Sequence, residues 1–262
     1  MLSGKKGLVV GVANKHSIAY HIAEKFSEAN AKVVFGCHPR VADRVGELVS
    51  GMNGGGRVFS FDALVEGEVE EMVRAGGENL GSLDFLIHSI AFAPPEELAG
   101  RFSDTTPNGF AQTMAVSAYS LLAMARAARP YLRLGSSIIT LTFTPASTGV
   151  IPDYGIMGPA KAALEAVVRY LANELGPEGA RVNAIASGPI GTASARAIGH
   201  FAAYREAAAE QAPLGEVTGE DVAGAALFLA SPPSSGVTGQ VLQVDRGLSI
   251  VNAVGVPLAT SQ

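Results

Sequence analysis

Short apolar runs alternate with amphipathic stretches along the whole chain. Seven of the runs are nearly continuously apolar, which is typical of strands that are covered on both faces; they are GLVVGVA, KVVFGC, RVFSFDA, LDFLIHSIA, SIITLTF, RVNAIAS and VLQVD. Six stretches between them have helical spacing: SIAYHIAEKFSEA, ADRVGELVSG, VEEMVRAGGENL, GFAQTMAVSAYSLLAMARAARPYL, AALEAVVRYLANEL and GEDVAGAALFLAS. This alternation predicts an α/β fold, with a seven-stranded, doubly wound parallel sheet and helices on both of its faces.

No internal repeat, low-complexity linker or block of charge divides the chain, so we expect a single domain over residues 1–262. The stretch TASARAIGHFAAYREAAAEQAP, from Thr192 to Pro213, has a helical pattern and follows the sixth predicted strand. In open α/β sheets the strand ends border the ligand crevice. The stretch therefore predicts a helical substrate-binding lid over about residues 193–212.

Composition narrows the choice of partner and compartment. A hydrophobic content of 48% predicts a large buried core, while a net charge of −5 and 6% aromatics without Trp argue against a nucleic-acid surface. The single cysteine, Cys37, excludes an internal disulfide and suits a reducing compartment. The first apolar run, LVVGVA, is too short for a signal sequence or a membrane span. We therefore expect a soluble, cytoplasmic protein with no membrane or nucleic-acid partner.

Tyr154 and Lys161 are the first candidates for chemistry. Seven steps make roughly two turns of a helix, so the spacing predicts that both side chains project from one helix face. A neighbouring ammonium would lower the pKa of a phenol and help it to exchange a proton. A lone pair at this spacing is more often an ordinary helix start and a solvated lysine, so the interpretation depends on the rest of the chain.

The first strand-to-helix turn is a candidate phosphate site. Gly11 directly follows a strand, which lets a ligand approach the backbone, and Ser17 is placed to cap the next helix and to contact a pyrophosphate. The turn lacks the G-x-G-x-x-G pattern and is a weak signal by itself. The second strand ends at His38 and Arg40 without an acidic residue for the adenosine ribose. The choice between NADH and NADPH therefore stays open at this point.

Several motifs occur along the chain in the order that is typical of one family. The opening Gly-x5-Ser-Ile-Ala turn is followed by HSIAFAP, VSAYSL, the Tyr-x6-Lys pair, VRYLANELGPEGARVNAI, SGPIGT and VDRGLSI. From Leu2 to about Val251 the chain resembles the enoyl-acyl-carrier-protein reductases of bacterial fatty-acid synthesis, a divergent branch of the short-chain dehydrogenase/reductases. The wider superfamily normally has a Tyr-x3-Lys spacing. The resemblance implies a Rossmann-type domain that reduces trans-2-enoyl thioesters on acyl carrier protein with NADH, with NADPH possible.

The resemblance also implies roles for particular residues. Tyr154 and Lys161 would be catalytic, Tyr154 by binding the thioester carbonyl and Lys161 by binding the nicotinamide ribose. The other cofactor-binding residues would be Gly11, Ser17, Ile18, His38, Asp62, Ala63, Ser89, Ile90, Ile190 and Thr192. The acyl chain would lie against Ala93, Phe143, Tyr154, Ile198 and Phe201, with Tyr204 as a further apolar candidate. No metal site is implied.

Four positions and one loop depart from the family pattern. Phe143 stands where many members have a second tyrosine, Pro159 lies five residues after Tyr154, Gly191 replaces a common arginine, and Arg246 replaces a usual glycine. The loop ASTGVI replaces a more polar one, and one residue has been inserted before the tyrosine. These changes leave the cofactor site plausible and leave open a paralogue with a specialised substrate.

Two other functions remain to be weighed against the enoyl reductase. A carbonyl or ketoacyl reductase of the same fold normally has a hydroxyl twelve or thirteen residues before the tyrosine, and Thr142 is twelve before Tyr154. A non-catalytic dinucleotide-binding protein is the other alternative, and the intact Tyr154 and Lys161 argue against it.

The long apolar helices and the apolar C-terminal segment predict a homo-oligomer, and the family resemblance implies a homotetramer.

Overall fold

A computed structural model describes residues 1–151, 153–192, 195 and 199–251, and gives only the backbone of Ala146. Its sheet contains seven parallel strands in the order β3-β2-β1-β4-β5-β6-β7. The strands are β1 (Lys6–Val10), β2 (Lys32–Cys37), β3 (Val58–Ser60), β4 (Leu83–His88), β5 (Leu132–Thr142), β6 (Arg181–Ser187) and β7 (Val241–Val244). All seven predicted strands are confirmed, and the chain has the doubly wound Rossmann-type topology.

The helices cover both faces of the sheet. Within the described residues they are α1 (Ile18–Glu28), α2 (Ala42–Val49), α3 (Glu68–Leu80), α4 (Pro107–Met114), α5 (Ser120–Ala128), α6 (Thr144–Thr148), α7 (Met157–Leu175), α8 (Phe201–Gln211) and α9 (Gly219–Leu229). One apolar cluster packs α1, α2 and α9 against the sheet, and a second packs α3, α5 and α7 against the opposite face. The strands are therefore buried on both sides, as their nearly continuous apolar sequences predict.

The strand order reverses between β1 and β4, and their carboxyl ends lie side by side. Gly11 follows β1 with φ +107°, and an added Cβ there would lie 2.0 Å from the carbonyl oxygen of Ser89, which follows β4. The Ser89 N–H donates to the Val10 carbonyl at 3.0 Å, which ties the two loops together. Only glycine fits this close approach. In doubly wound sheets such a reversal is where ligands bind.

The long helix predicted from Gly109 onward is interrupted in the structure. Between α4 and α5 lies a π-helical turn, Ala115–Tyr119. Its Ser117 hydroxyl accepts from the Phe92 N–H and donates to the Phe92 carbonyl, both at 3.0 Å. The wider turn therefore fixes the loop after β4, and such turns are frequent at functional sites.

The start of α7 differs from the sequence-based prediction. Tyr154 does not lie on the helix: α7 begins at Met157, and Gly155 with φ +48° makes the bend between them. Pro159 is the third helical residue, where the missing N–H would have no intrahelical partner, so it starts the helix late without kinking it. The prediction that Tyr154 and Lys161 share one helix face is wrong, because Tyr154 precedes the helix.

The predicted lid is helical in the part that is described. Helix α8, Phe201–Gln211, follows His200, whose φ is +54°. Residues 193–194 and 196–198 lie outside the described part, as does the apolar C-terminal segment after Val251. Within the described residues, none of the helices combines the length and the apolar character that crossing a membrane requires.

The sheet gives a prediction for stability. Gly7 in β1 faces Phe85 in β4, and an added Cβ would lie 2.2 Å from the Phe85 carbonyl oxygen. We expect Gly7→Ala to lower the free energy of unfolding by about 2 kcal/mol or more, because the strands must separate to admit the methyl group. Gly46 in α2 is the matched control, since nothing lies within 4 Å of its Cβ position. Gly46→Ala should raise stability by about 0.5–1 kcal/mol in the same urea titration. Equal stability of the two variants would contradict the packing of β1 on β4.

Candidate active site

A cavity of about 350 Å³ opens at the carboxyl ends of the strands, from the turn after β1 to the start of α8. It brings together most residues predicted for cofactor and substrate. Those that line it are Gly11, Ser17, Ile18, Ser89, Ile90, Ala93, Phe143, Tyr154, Lys161, Ile190, Thr192 and Phe201. Residues from six separate segments of the sequence therefore meet in one cavity.

Three predicted residues lie elsewhere, on an exposed shelf beyond β2 and β3. His38 and Asp62 pair there, with Nε2 3.5 Å from Oδ2, and Ala63 follows Asp62; none of the three lines the cavity. Asp62 also accepts from the Leu64 N–H at 2.9 Å, a contact within the local turn. Ile198 lies outside the described residues.

The amino-terminal end of α1 borders the cavity and presents backbone N–H groups to it. Ser17 occupies the N-cap position, but its hydroxyl accepts from the N–H groups of Ala13 and Asn14, each at 3.1 Å, and makes no cap bond to α1. The predicted side-chain cap is therefore wrong. Within the described part of the chain, the N–H groups of Ile18 and Ala19 have no acceptor. Unpaired N–H groups at a helix start fit a phosphate or pyrophosphate.

Lys161 is buried at the base of the cavity. Its Nζ donates to the carbonyl oxygen of Leu141, at the end of β5, at 2.9 Å. Burial lowers the pKa of the ammonium to about 8, while the carboxylate of Glu165 acts in the opposite sense. An ammonium has three donors, and this carbonyl is the one partner found for Nζ among the described residues. The ammonium therefore keeps donors for a ligand in the cavity.

Tyr154 lies in an apolar cluster that holds its hydroxyl as a neutral donor. Its ring packs against Phe143, with centroids 5.4 Å apart, and against Met157. Tyr204 of α8 also packs against Phe143, edge-on, with centroids 6.2 Å apart. Burial raises the pKa of the Tyr154 phenol well above its usual value, and Tyr204 raises it further. The prediction that Lys161 lowers this pKa is therefore wrong, because desolvation dominates.

Thr142 lines the cavity, but its hydroxyl is bonded within the protein. Its Oγ1 donates to Oε1 of the buried Glu165 at 2.7 Å. A hydroxyl has one proton, so this bond leaves Thr142 without a donor for a substrate carbonyl. Thr142 therefore does not donate to a substrate carbonyl, which is the role that a carbonyl reductase would give it.

Two of the sequence departures are accommodated by new contacts. Arg205 of α8 places a guanidinium nitrogen 2.5 Å from where a Cβ of Gly191 would be, so it occupies the space of a side chain at that position. Arg246 has φ +55°, a region that glycine adopts more easily. Its guanidinium binds both carboxylate oxygens of Asp221, at 2.8 and 3.1 Å, which offsets the strain.

Sequence reasoning missed several lining residues. They are Ala13, Phe92, Pro95, Leu98, Leu141, Met157, Ser187, Gly188 and Pro189. The apolar loop AFAPPEEL after β4 was a usable signal, because loops at strand ends line the crevice. Glu165 was missed as well, and an acidic residue on an amphipathic helix gives no sequence sign that it is buried.

The fold and the cavity define a class of protein, a Rossmann-type domain with a Tyr–Lys pair at the dinucleotide crevice. A family model described as "Enoyl-(Acyl carrier protein) reductase" matches residues 11–249. The Rickettsia conorii protein named enoyl-[acyl-carrier-protein] reductase [NADH] FabI is 41% identical over 254 residues, which cover 97% of each chain. This chain belongs to the enoyl-(acyl-carrier-protein) reductase family.

Solved structures agree with this assignment. The crystal structure of enoyl-[acyl-carrier-protein] reductase (NADH) from Aquifex aeolicus has a TM-score of 0.91 at 39% identity, and the match covers 96% of this chain and 99% of the other. The reductase of Anaplasma phagocytophilum in complex with NAD also has a TM-score of 0.91, at 37% identity, over 97% of each chain. The fold is therefore shared over nearly the full length.

Proposed function

We propose that this chain is an enoyl-acyl-carrier-protein reductase that uses NADH to reduce trans-2-enoyl thioesters in fatty-acid biosynthesis. The observation that carries the proposal is the cavity at the start of α1 that Tyr154 and Lys161 both line. Membership of the reductase family supports the same assignment over residues 11–249.

The residues present fit a nicotinamide dinucleotide. The unpaired N–H groups at the start of α1, with Gly11 and Ser17, would hold the pyrophosphate. Ser89, Ile90, Ile190 and Thr192 would border the ribose and nicotinamide, and Lys161 would bind the ribose hydroxyls. The reduced nicotinamide supplies the hydride when it is bound.

At the adenosine end, the exposed shelf would contact the ribose and the adenine. His38 would lie by the ribose, with Asp62 and Ala63 beside the adenine. Arg40 follows His38 and would tolerate a 2′-phosphate, so use of NADPH as a second cofactor is compatible with this shelf. NADH remains the cofactor that we assign, because the relatives matched over most of the chain are named for it.

Tyr154 stabilises charge that develops on the substrate. As the β-carbon of the enoyl thioester accepts a hydride, negative charge builds on the thioester oxygen. A neutral phenol aimed at that oxygen stabilises the charge as it forms and contributes about 3 kcal/mol. Burial keeps Tyr154 in this protonated form at neutral pH. Ala93, Phe143 and Phe201 would border the acyl chain, Ile198 remains a sequence-based candidate, and α8 would close over it as the lid.

The carbonyl-reductase alternative is disfavoured by the bond between Thr142 and Glu165, since that alternative needs a free hydroxyl on Thr142.

The partner would be the enoyl thioester on acyl carrier protein. The reaction would take place in the cytoplasm, where the buried free thiol of Cys37 stays reduced.

We also propose a homotetramer. Phe110 of α4, Tyr119 of the π-helical turn and Tyr170 of α7 are large apolar side chains that remain exposed on elements packed together. Exposed apolar side chains grouped on one surface are typical of subunit interfaces. A further exposed apolar residue, Ile250, follows β7 near the C-terminal segment.

The substrate preference is the first test of this function. We expect reduction of crotonyl thioester and little or no turnover of a 3-ketoacyl thioester, because the Thr142 hydroxyl is not available to a ketone. Thr142→Val should lower kcat/KM for crotonyl thioester less than about tenfold. Preference for the 3-keto substrate, or loss of all activity in Thr142→Val, would favour the carbonyl reductase.

The roles of the Tyr–Lys pair can be separated by two variants. Tyr154→Phe should lower kcat by about 10²–10³ and leave NADH binding nearly intact, since it removes a donor used in the transition state. Lys161→Ala should weaken both NADH binding and turnover. Tyr20→Phe is the control, because that hydroxyl contacts only the exposed Glu24, at 3.0 Å. Normal crotonyl reduction by Tyr154→Phe would refute the role given to Tyr154.

The oligomeric state can be measured by light scattering at micromolar concentration, where we expect the mass of four chains. Tyr170→Asp should lower that mass, because it places a charge in the proposed interface. Leu64→Asp changes an exposed apolar residue on the shelf beyond β3 and should leave the mass unchanged. A monomeric parent protein would contradict the assembly.

A further inference from the structure

Glu165 is a buried carboxylate for which the mechanism above has no use. It lies on α7, and only 8% of its surface is exposed. Its Oε1 accepts from the Thr142 hydroxyl at 2.7 Å and from the Ser147 hydroxyl at 2.8 Å, and Ser147 also lies 2.9 Å from Oε2. Burying an ionised carboxylate is costly unless it is hydrogen-bonded. Two hydroxyls, one from β5 and one from α6, therefore stabilise its charge.

The carboxylate and the Lys161 ammonium belong to one arrangement. Glu165 is four residues after Lys161, so the two side chains leave α7 on the same face one turn apart. Lys161 binds the carbonyl of Leu141, while Glu165 binds the hydroxyl of the next residue, Thr142. Helix α7 thus contacts the end of β5 through two charged side chains, Lys161 and Glu165.

Glu165 is the negative group that opposes the desolvation of Lys161. Burial, and to a lesser degree the Lys161 ammonium, lower the pKa of the His88 imidazole in β4 to about 3, so His88 is neutral. Tyr154 is neutral, because burial raises its pKa. The phenol of Tyr154 therefore brings no charge to the Lys161 ammonium.

In the part of the chain that the structure describes, the elements packed against α7 bring no competing charge close to Lys161; Arg133 in β5 is exposed, and Glu178 after α7 pairs with Arg129 at the surface. Tyr119 of the π-helical turn and Arg126 of α5 are exposed to solvent, and Arg181 begins β6 at the end of the sheet opposite the cavity. The sequences of α4 and α6, PNGFAQTM and TPAST, contain no ionisable side chain. Among the described residues, the charge state of Lys161 therefore depends chiefly on burial and on Glu165.

We infer that Glu165 is a positioning residue of the active site, whose buried carboxylate keeps Lys161 in its ammonium form for the dinucleotide and turns the Thr142 hydroxyl away from the substrate. Ser147, in the loop that departs from the family pattern, supplies a hydroxyl that stabilises this carboxylate. The inference rests on the proposed function in one respect, that Lys161 binds the cofactor.

The test is the pH dependence of NADH binding to the full chain, measured by fluorescence titration between pH 6.5 and 9.5. In the parent protein, affinity should fall as pH rises through about 8, where Lys161 loses its proton. Glu165→Gln keeps the size of the side chain but removes the charge, so the pKa of Lys161 falls further. We expect the midpoint of this fall to move down by about one pH unit, a loss of about threefold in affinity at pH 7.5.

Glu174→Gln is the matched control, since it makes the same change at an exposed site on the same helix, where Glu174 lies 3.5 Å from Arg129. Its midpoint should equal that of the parent. An unchanged midpoint in Glu165→Gln would show that Glu165 is structural only and would overturn the inference. A parent protein that binds no NADH would instead refute the proposed function.

A second pair of variants decides the matter if Glu165→Gln does not fold. Lys161→Met removes the ammonium, and the double variant K161M/E165Q removes both charges, which is tolerated better than removing one. If Glu165 acts through Lys161, the two variants should bind NADH equally weakly. Weaker binding by the double variant would show an effect independent of Lys161 and would contradict the inference.

Discussion

The hydrogen bond from the Lys161 ammonium to the Leu141 carbonyl is the interaction on which the site depends. It joins α7 to the end of β5 at 2.9 Å, beside the crevice at the carboxyl ends of β1 and β4, where the strand order reverses. Because this bond holds the ammonium inside the protein, its remaining donors face the cavity. Tyr154 is then placed by the bend at Gly155 and by its packing on Phe143, independently of the lysine.

This arrangement gives the two residues different chemistry. Desolvation raises the pKa of the phenol and lowers that of the ammonium. Tyr154 therefore remains a neutral hydrogen-bond donor. The pKa of Lys161, about 8, lies close to neutral pH. A buried phenol stabilises an oxygen that gains charge, which suits the enolate of a thioester. The Thr142 proton is committed to Glu165, so Thr142 does not supply the second hydroxyl donor that a ketone reductase needs beside the tyrosine.

Much of the fold could be predicted from the sequence, because strands buried on both faces are nearly continuously apolar and the helical stretches between them indicate a parallel, doubly wound sheet. Gly11 and Ser89 follow such strands and line the cavity, and Ile190, which the family resemblance implied, lines it as well. The start of α7 could not be predicted, since the Tyr-x6-Lys spacing is compatible both with one continuous helix and with a bend at Gly155. The roles of Ser17 and Glu165 depend on which hydroxyls and amides meet in space, which periodicity does not encode.

The proposed function depends on hydride delivery to the β-carbon of an enoyl thioester whose oxygen is bound by Tyr154. It is tested most directly by incubating the protein with crotonyl thioester and NADH deuterated at the transferring position, and by locating the label in the product by NMR. We predict deuterium at C3 of the butyryl group and none on an oxygen-bearing carbon. A product that carries deuterium on a carbinol carbon, or an absence of label at C3, would contradict the account.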